Sequence, residues 1–99
     1  MVYKVVWTDE ARADLAEICG YIAQDNPEAA ICFGNALLDH GEKQLSLFPQ
    51  KSKVFQDFGN GNILEIAFRG RRIFYVVYEE EKRVDVIKIW HGARDEPEF

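Results

Sequence analysis

A chain of 99 residues with a formal charge of −5 and a pI near 5.0 has room for one modest core. It is too acidic to hold nucleic acid by a broad basic footprint. Hydrophobic residues at 47% against 29% charged exclude a wholly disordered chain. No run approaches the roughly 18 apolar residues of a membrane span.

The order of charge, apolar run and cleavage site that marks a signal peptide is missing from Met1-Val2-Tyr3-Lys4, so a cytoplasmic protein is expected. Residues 1–99 are read as a single domain. Val2-Tyr3-Lys4-Val5-Val6-Trp7 is β-branched and aromatic and predicts a strand over 2–7, with Tyr3, Val5 and Trp7 pointing inward. Thr8 ends it and can cap a helix over about 9–24, with Asp9 and Glu10 complementing the positive end of the helix dipole. Ala11, Leu15, Ile18 and Ile22 form its apolar stripe.

Asn26-Pro27 starts a second helix, since proline at the first helical position forfeits only an N–H that has no partner there. From Pro27 to about Leu47 the stripe reads Ala30, Phe33, Leu37, Leu45 and Phe48, with Gly34 and Gly41 on the same face. Each glycine costs about 1 kcal/mol against alanine inside a helix, so close approach to the first helix is expected, or more simply a break in the helix. The two cysteines are too few for a disulfide scaffold and are read as free thiols. Cys19 and Cys32 are nevertheless equally far from the Asp25-Asn26 turn and could face each other across a helical hairpin.

Pro49 stops the helix, and residues 49–62 read as an ordered surface loop ending in Gly59-Asn60-Gly61-Asn62. Three strands follow, Ile63 to Phe68, Ile73 to Glu79 and Arg83 to Trp90. Their short connections, Arg69-Gly70-Arg71 and Glu80-Glu81-Lys82, favour antiparallel neighbours. The order β-α-α-β-β-β predicts an α+β fold, a helical hairpin packed on a twisted antiparallel sheet. Tyr75 and Tyr78 fall on opposite faces of one strand, so at least one fills the core.

The excess negative charge lies in residues 1–50, which hold three basic and eight acidic side chains, whereas residues 51–99 hold nine of each. Arg69-Gly70-Arg71-Arg72 is the one dense cationic cluster. Around it stand Glu65, Arg72, His91 and Arg94, a set that merits testing as a catalytic site. Cleaving RNA through its own 2′-hydroxyl needs a base, cations for the phosphorane charge and an acid for the leaving oxygen. Glu65 or His91 can supply the base, His91 the acid, and Arg72 with Arg94 the phosphate contacts. The simpler reading weighs more: a structural Glu–Arg ion pair and a hydrogen-bonded histidine cap. No phosphate loop, nucleophile elbow or Cys/His cluster is present in the sequence, so no cofactor and no metal are expected. Glu79-Glu80-Glu81 reads as a solvated hairpin turn.

Several motifs together resemble the RelE/ParE superfamily of toxins from bacterial toxin–antitoxin pairs, and its ParE-like, plasmid-stabilisation branch most closely. Val5-Val6-Trp7-Thr8 leading to Ala11 and Asp14-Leu15, then Ile18-Cys19-Gly20-Tyr21-Ile22 and Asn26-Pro27-Glu28-Ala29-Ala30, look like that branch's opening. Arg72-Ile73-Phe74-Tyr75 is similar to its penultimate-strand motif and His91-Gly92-Ala93-Arg94-Asp95 to its ending. The resemblance implies a toxin neutralised by a cognate ParD/RelB-like antitoxin, whose flexible C-terminal segment wraps its helices and sheet. ParE-like members trap DNA gyrase with broken DNA, whereas RelE-like members cut mRNA in the ribosome.

RelE-like nucleases typically carry lysines where this chain has Ile63, Leu64 and Glu65, and often a tyrosine where it has Pro97-Glu98-Phe99. The resemblance therefore favours a gyrase inhibitor without catalysis, which presents Arg72, His91 and Arg94 to its target. Ribosome-dependent mRNA cleavage through Glu65, Arg72, His91 and Arg94 is the alternative. ParE-like chains commonly have arginine where Leu64 precedes Glu65-Ile66, so a weakened toxin that keeps antitoxin binding is a third reading.

Overall fold

The computed structural model describes residues 2–51, 53–57 and 62–91, with side chains described for 2–50 and 63–91. The elements are β1 (Lys4–Trp7), α1 (Asp9–Ala23), α2 (Pro27–Leu47), a short 3-10 turn (Pro49–Lys51), β2 (Lys53–Asp57), β3 (Asn62–Phe68), β4 (Arg71–Tyr78) and β5 (Arg83–His91). Both expected caps form. Thr8 Oγ1 accepts from the Ala11 amide at 3.3 Å and donates to the Val86 carbonyl at 2.7 Å, so one hydroxyl starts α1 and ties it to β5. Asn26 Oδ1 accepts from Ala29 N at 3.1 Å, immediately before Pro27.

The five strands lie in the order β1-β5-β4-β3-β2. The architecture is the α+β arrangement expected, two helices on one face of a sheet, with two differences. Residues 53–57, read as part of a loop, form an edge strand antiparallel to β3. The sheet is also mixed, because β1 runs parallel to β5, with Lys4 opposite Arg83 and Trp7 opposite Val86. Short connections report only on strands that follow one another, and β1 reaches β5 across the whole fold.

Strand alternation divides the sheet cleanly. Leu64, Ile66 and Phe68 on β3, Ile73, Tyr75 and Val77 on β4, and Val84, Val86 and Ile89 on β5 face the helices. A register shift between Phe74 and Tyr75 keeps Val86 and Ile89 on the same side of β5 despite their odd spacing. Ala11, Leu37 and Leu45 close the core from the helical side. Buried Tyr75 donates its hydroxyl to the Pro49 carbonyl at 2.7 Å, anchoring the turn after α2. Tyr78, on the other face, is partly exposed beneath the Arg83 guanidinium.

Both α2 glycines mark close approaches, to different neighbours. A Cβ on Gly34 would lie 3.2 Å from Cys19 Sγ of α1, whereas one on Gly41 would lie 2.5 Å from Trp7 of β1. Gly41 therefore admits the indole, not the first helix. Cys19 and Cys32 are both free, the first over Gly34 and the second exposed. Phe48, placed on the apolar stripe from sequence, is half exposed because α2 ends at Leu47 and the backbone leaves helical geometry at the cap. Among the described residues no helix is long and apolar enough to cross a membrane.

Candidate functional site

Arg69 and Gly70 make the tight β3–β4 turn, both with positive φ (47° and 81°), and return the chain so that Phe68 pairs with Arg71. Positive φ at both central residues suits the right-handed twist of a hairpin. Arg71 thus belongs to β4, not to the connection. The first two residues of β4 point to opposite faces and their side chains meet different surroundings.

Arg72 lies on the face away from the helices, beside Ala67 and Trp90 in the ladder. Its Nη2 is 2.7 Å from Glu65 Oε2, and the two side chains are only 17% and 13% exposed. The guanidinium also lies 5.1 Å from the Phe74 ring centroid. This is the structural ion pair that the simpler sequence reading describes. Farther along the same face Arg83 Nε pairs with Asp85 at 2.9 Å, and the Arg83 guanidinium is held above its ordinary, already fully charged value by that hydrogen bond.

His91 lies on the helix side of the sheet, opposite Arg71 in the ladder, and is exposed at the end of β5. Glu65 and Arg72 are therefore brought together, while His91 is separated from them by the sheet itself. Arg94 lies outside the described residues. A base, an acid and a phosphate clamp drawn from Glu65, Arg72 and His91 do not share one surface.

A cleft of about 530 Å³ opens where β5 outruns β1. On one side α1 supplies Asp14, Glu17 and Tyr21, spaced so that they share a helix face. Arg71 and His91 line the other side. β1 ends opposite Val86, which leaves Ile89 without a strand partner on that edge, and Asp14 Oδ2 accepts from its amide at 3.0 Å. Lys88 Nζ reaches around the edge to within 3.7 Å of Glu10 and 3.8 Å of Asp14. Arg71 is placed over the Phe33 ring at 5.5 Å, and its Nε is buried with no hydrogen-bond partner among the described residues. Sequence reading missed this cleft because it assigned Arg71 to a turn. The alternation Arg71, Ile73, Tyr75 is the signal that puts it on the core face.

The family model described as the ParE toxin of type II toxin-antitoxin systems, parDE, matches residues 5–96. The chain belongs to the ParE toxin family. Solved structures share its fold at low identity. One is the chromosomal ParDE toxin–antitoxin system from P. aeruginosa, at 18% identity and TM-score 0.69 over 91% of this chain and 96% of that one. Another is the archaeal RelE-RelB complex from Pyrococcus horikoshii OT3, at 18% and 0.65 over 96% and 100%. A third is the RelBE2 toxin–antitoxin complex from Mycobacterium tuberculosis, at 22% and 0.62 over 95% of each chain. No curated protein matches the sequence. The ParE family match and the RelE-type neighbours agree on the fold of a type II toxin.

Proposed function

We propose that this ParE-family chain inhibits DNA gyrase by binding it, without moving protons, and that a cognate ParD/RelB-like antitoxin neutralises it. One observation carries the choice between inhibition and RNA cleavage. General acid–base catalysis needs its groups within hydrogen-bond reach of one substrate position. Glu65 is already committed to Arg72 at 2.7 Å on one face, and His91 stands on the other. Two arginines and a separated histidine can grip an anionic surface but do not make a proton relay. The complexes of ParE- and RelE-type neighbours with their antitoxins support the antitoxin partner.

The test is supercoiling by purified gyrase in the presence of the folded protein. Inhibition is expected, with loss on addition of the co-expressed antitoxin and weakening in Arg94→Ala. Normal supercoiling at large molar excess, together with message cut on translating ribosomes and protected by His91→Ala, would replace this reading with the nuclease one.

A further inference from the structure

We propose that residues 92–99 cross the outer face of the sheet as a strap and carry Arg94 onto the surface where Arg72 stands. What carries this is burial on the face away from the helices. Phe74 is 0% and Ile63 2% exposed, yet neither belongs to the cluster beneath the helices. Each alternates with core residues along its strand and so points the other way. Lateral neighbours fence a side chain on a sheet but leave its top open to water, and here the neighbours are covered as well. Arg72, which leans over the Phe74 ring, and its partner Glu65 are both mostly buried. Charged side chains of this length seldom lose so much exposure on a sheet face without a layer above them. Arg72, Phe74 and Trp90 each make a further polar or ring contact besides those named.

Reach decides which part of the chain supplies that layer. The helices pack on the opposite side. β2 is separated from β5 by β3 and β4, about 14 Å at ordinary strand spacing, so its side chains do not extend to Trp90. Residues 58–61 join β2 to β3 where Asp57 pairs with Asn62, and four residues fixed at both ends stay at that end of the sheet. The position opposite Arg72, Ala67, is about 13 Å farther along β3 than Ile63. Residues 92–99 follow β5 directly, one residue beyond Trp90. Eight extended residues span up to about 26–29 Å, enough to recross β5, β4 and β3.

The composition of the segment suits the crossing. Gly92 gives the reversal a residue without Cβ hindrance. Asp95, Glu96 and Glu98 bring acids to a face that carries Arg72, and an arginine fork has five donors, more than Glu65 alone uses. Phe99 brings a ring to the aromatic pair Phe74 and Trp90. The strap sets Arg94 on the same side of the sheet as Arg72 and leaves His91 on the other. That consequence for target binding rests on the reading proposed above, whereas the strap itself does not.

The experiment is nuclear Overhauser spectroscopy on the full isotope-labelled chain, beside a chain stopped after His91. Contacts from residues 94–99 to the Phe74 ring and the Trp90 indole are expected, with the same intensity after about tenfold dilution. In the stopped chain the Trp90 indole resonance should move while that of Trp7, held at Gly41 on the helix side, stays in place and reports an intact fold. If the stopped chain does not fold, the contacts in the full chain decide. Contacts to those rings from residues 58–61, or from residues 94–99 to Ile18 and Tyr21 in the cleft instead, would overturn the strap. So would contacts seen only between differently labelled copies, or none at all with an unmoved Trp90 resonance. Supercoiling separates the strap from the target reading: contacts present in a chain that never inhibits gyrase remove only the target, and contacts absent from a chain that inhibits through Arg94 remove only the strap.

Discussion

The outer face of the sheet and the cleft on its helix side both set an arginine of β4 among acids and aromatic rings, yet among the described residues only the outer face pairs its arginines with its own acids. Glu65 and Asp85 each hold an arginine there. In the cleft Arg71 rests on Phe33 with a buried Nε that has no partner among the described residues, while Glu17 stands on the facing wall. A surface whose charges are matched internally gives up little when left alone. A surface with an unmatched buried donor is less stable by itself. Adjacent residues on one strand, Arg71 and Arg72, therefore meet different surroundings because alternation sends them to opposite faces.

The sharpest way to break this contrast is to replace the two arginines in turn. Arg72→Met removes the partner of a mostly buried carboxylate, and a loss of about 2–3 kcal/mol is expected in urea denaturation, since the surviving Glu65 is left unpaired. Arg71→Met should cost nothing measurable, because the orphaned donor disappears with it. Equal losses for both would show that pairing does not distinguish the two faces.

Both faces depend on a body that holds α1, α2 and the sheet at fixed spacing, and Gly41 tests that. Its Cβ would fall 2.5 Å from the Trp7 ring, so Gly41→Ala forces the indole or the helix to move. Overpacking of this kind costs about 1–3 kcal/mol, partly offset by about 1 kcal/mol of improved helix propensity. A net loss near 1–2 kcal/mol is expected in the same denaturation measurement. Asp14 sets the geometry of the cleft's edge more locally. Asp14→Ala leaves the Ile89 amide without its acceptor and should cost about 1 kcal/mol, with faster hydrogen exchange at Ile89. Asp14→Asn keeps a carbonyl oxygen there and should recover most of the loss.

The helices, their caps and the three-strand meander are readable from local pattern alone. Thr8 and Asn26 carry the chemistry of a helix start, and the stripes repeat at helical spacing. Three features were not legible, each for a nonlocal reason. The parallel partner of β1 lies at the other end of the chain. β2 is a short Lys53-Val54-Phe55-Gln56-Asp57 run that becomes a strand through its pairing with β3. Gly41 announces a close approach but cannot name Trp7 as the neighbour. The Glu65–Arg72 pairing was legible because the two residues flank one hairpin, whereas the cleft needed the exact boundary of β4 and the length by which β5 outruns β1.

The mildest test concerns a third cluster, where internal matching is complete but solvent reaches every member. At the turn joining β4 to β5, Glu79 accepts from the Tyr3 hydroxyl at 2.7 Å, from Lys82 Nζ at 3.0 Å and from Gln50 Nε2. The Tyr3, Lys82 and Gln50 hydrogen bonds hold its carboxyl below the ordinary value of 4.5. A carboxyl depressed in the folded chain contributes stability above that ordinary value and loses it as the pH falls through the lower native one. The hydrogen bond to Glu79 likewise raises Tyr3 above 10.0 and Lys82 above 10.5, and those contributions are complete below the ordinary values and lost as the pH climbs past them. All three shifts share one carboxylate, so Glu79→Gln should flatten the stability profile at both ends and leave the smallest change of the series at neutral pH. Melting temperatures of parent and variant should therefore differ most near neutral pH and converge as the pH falls below the depressed carboxyl value and as it climbs past the raised tyrosine and lysine values. A constant offset at every pH would mean that Glu79 acts there by packing, and that internal matching of exposed charges contributes nothing to this fold.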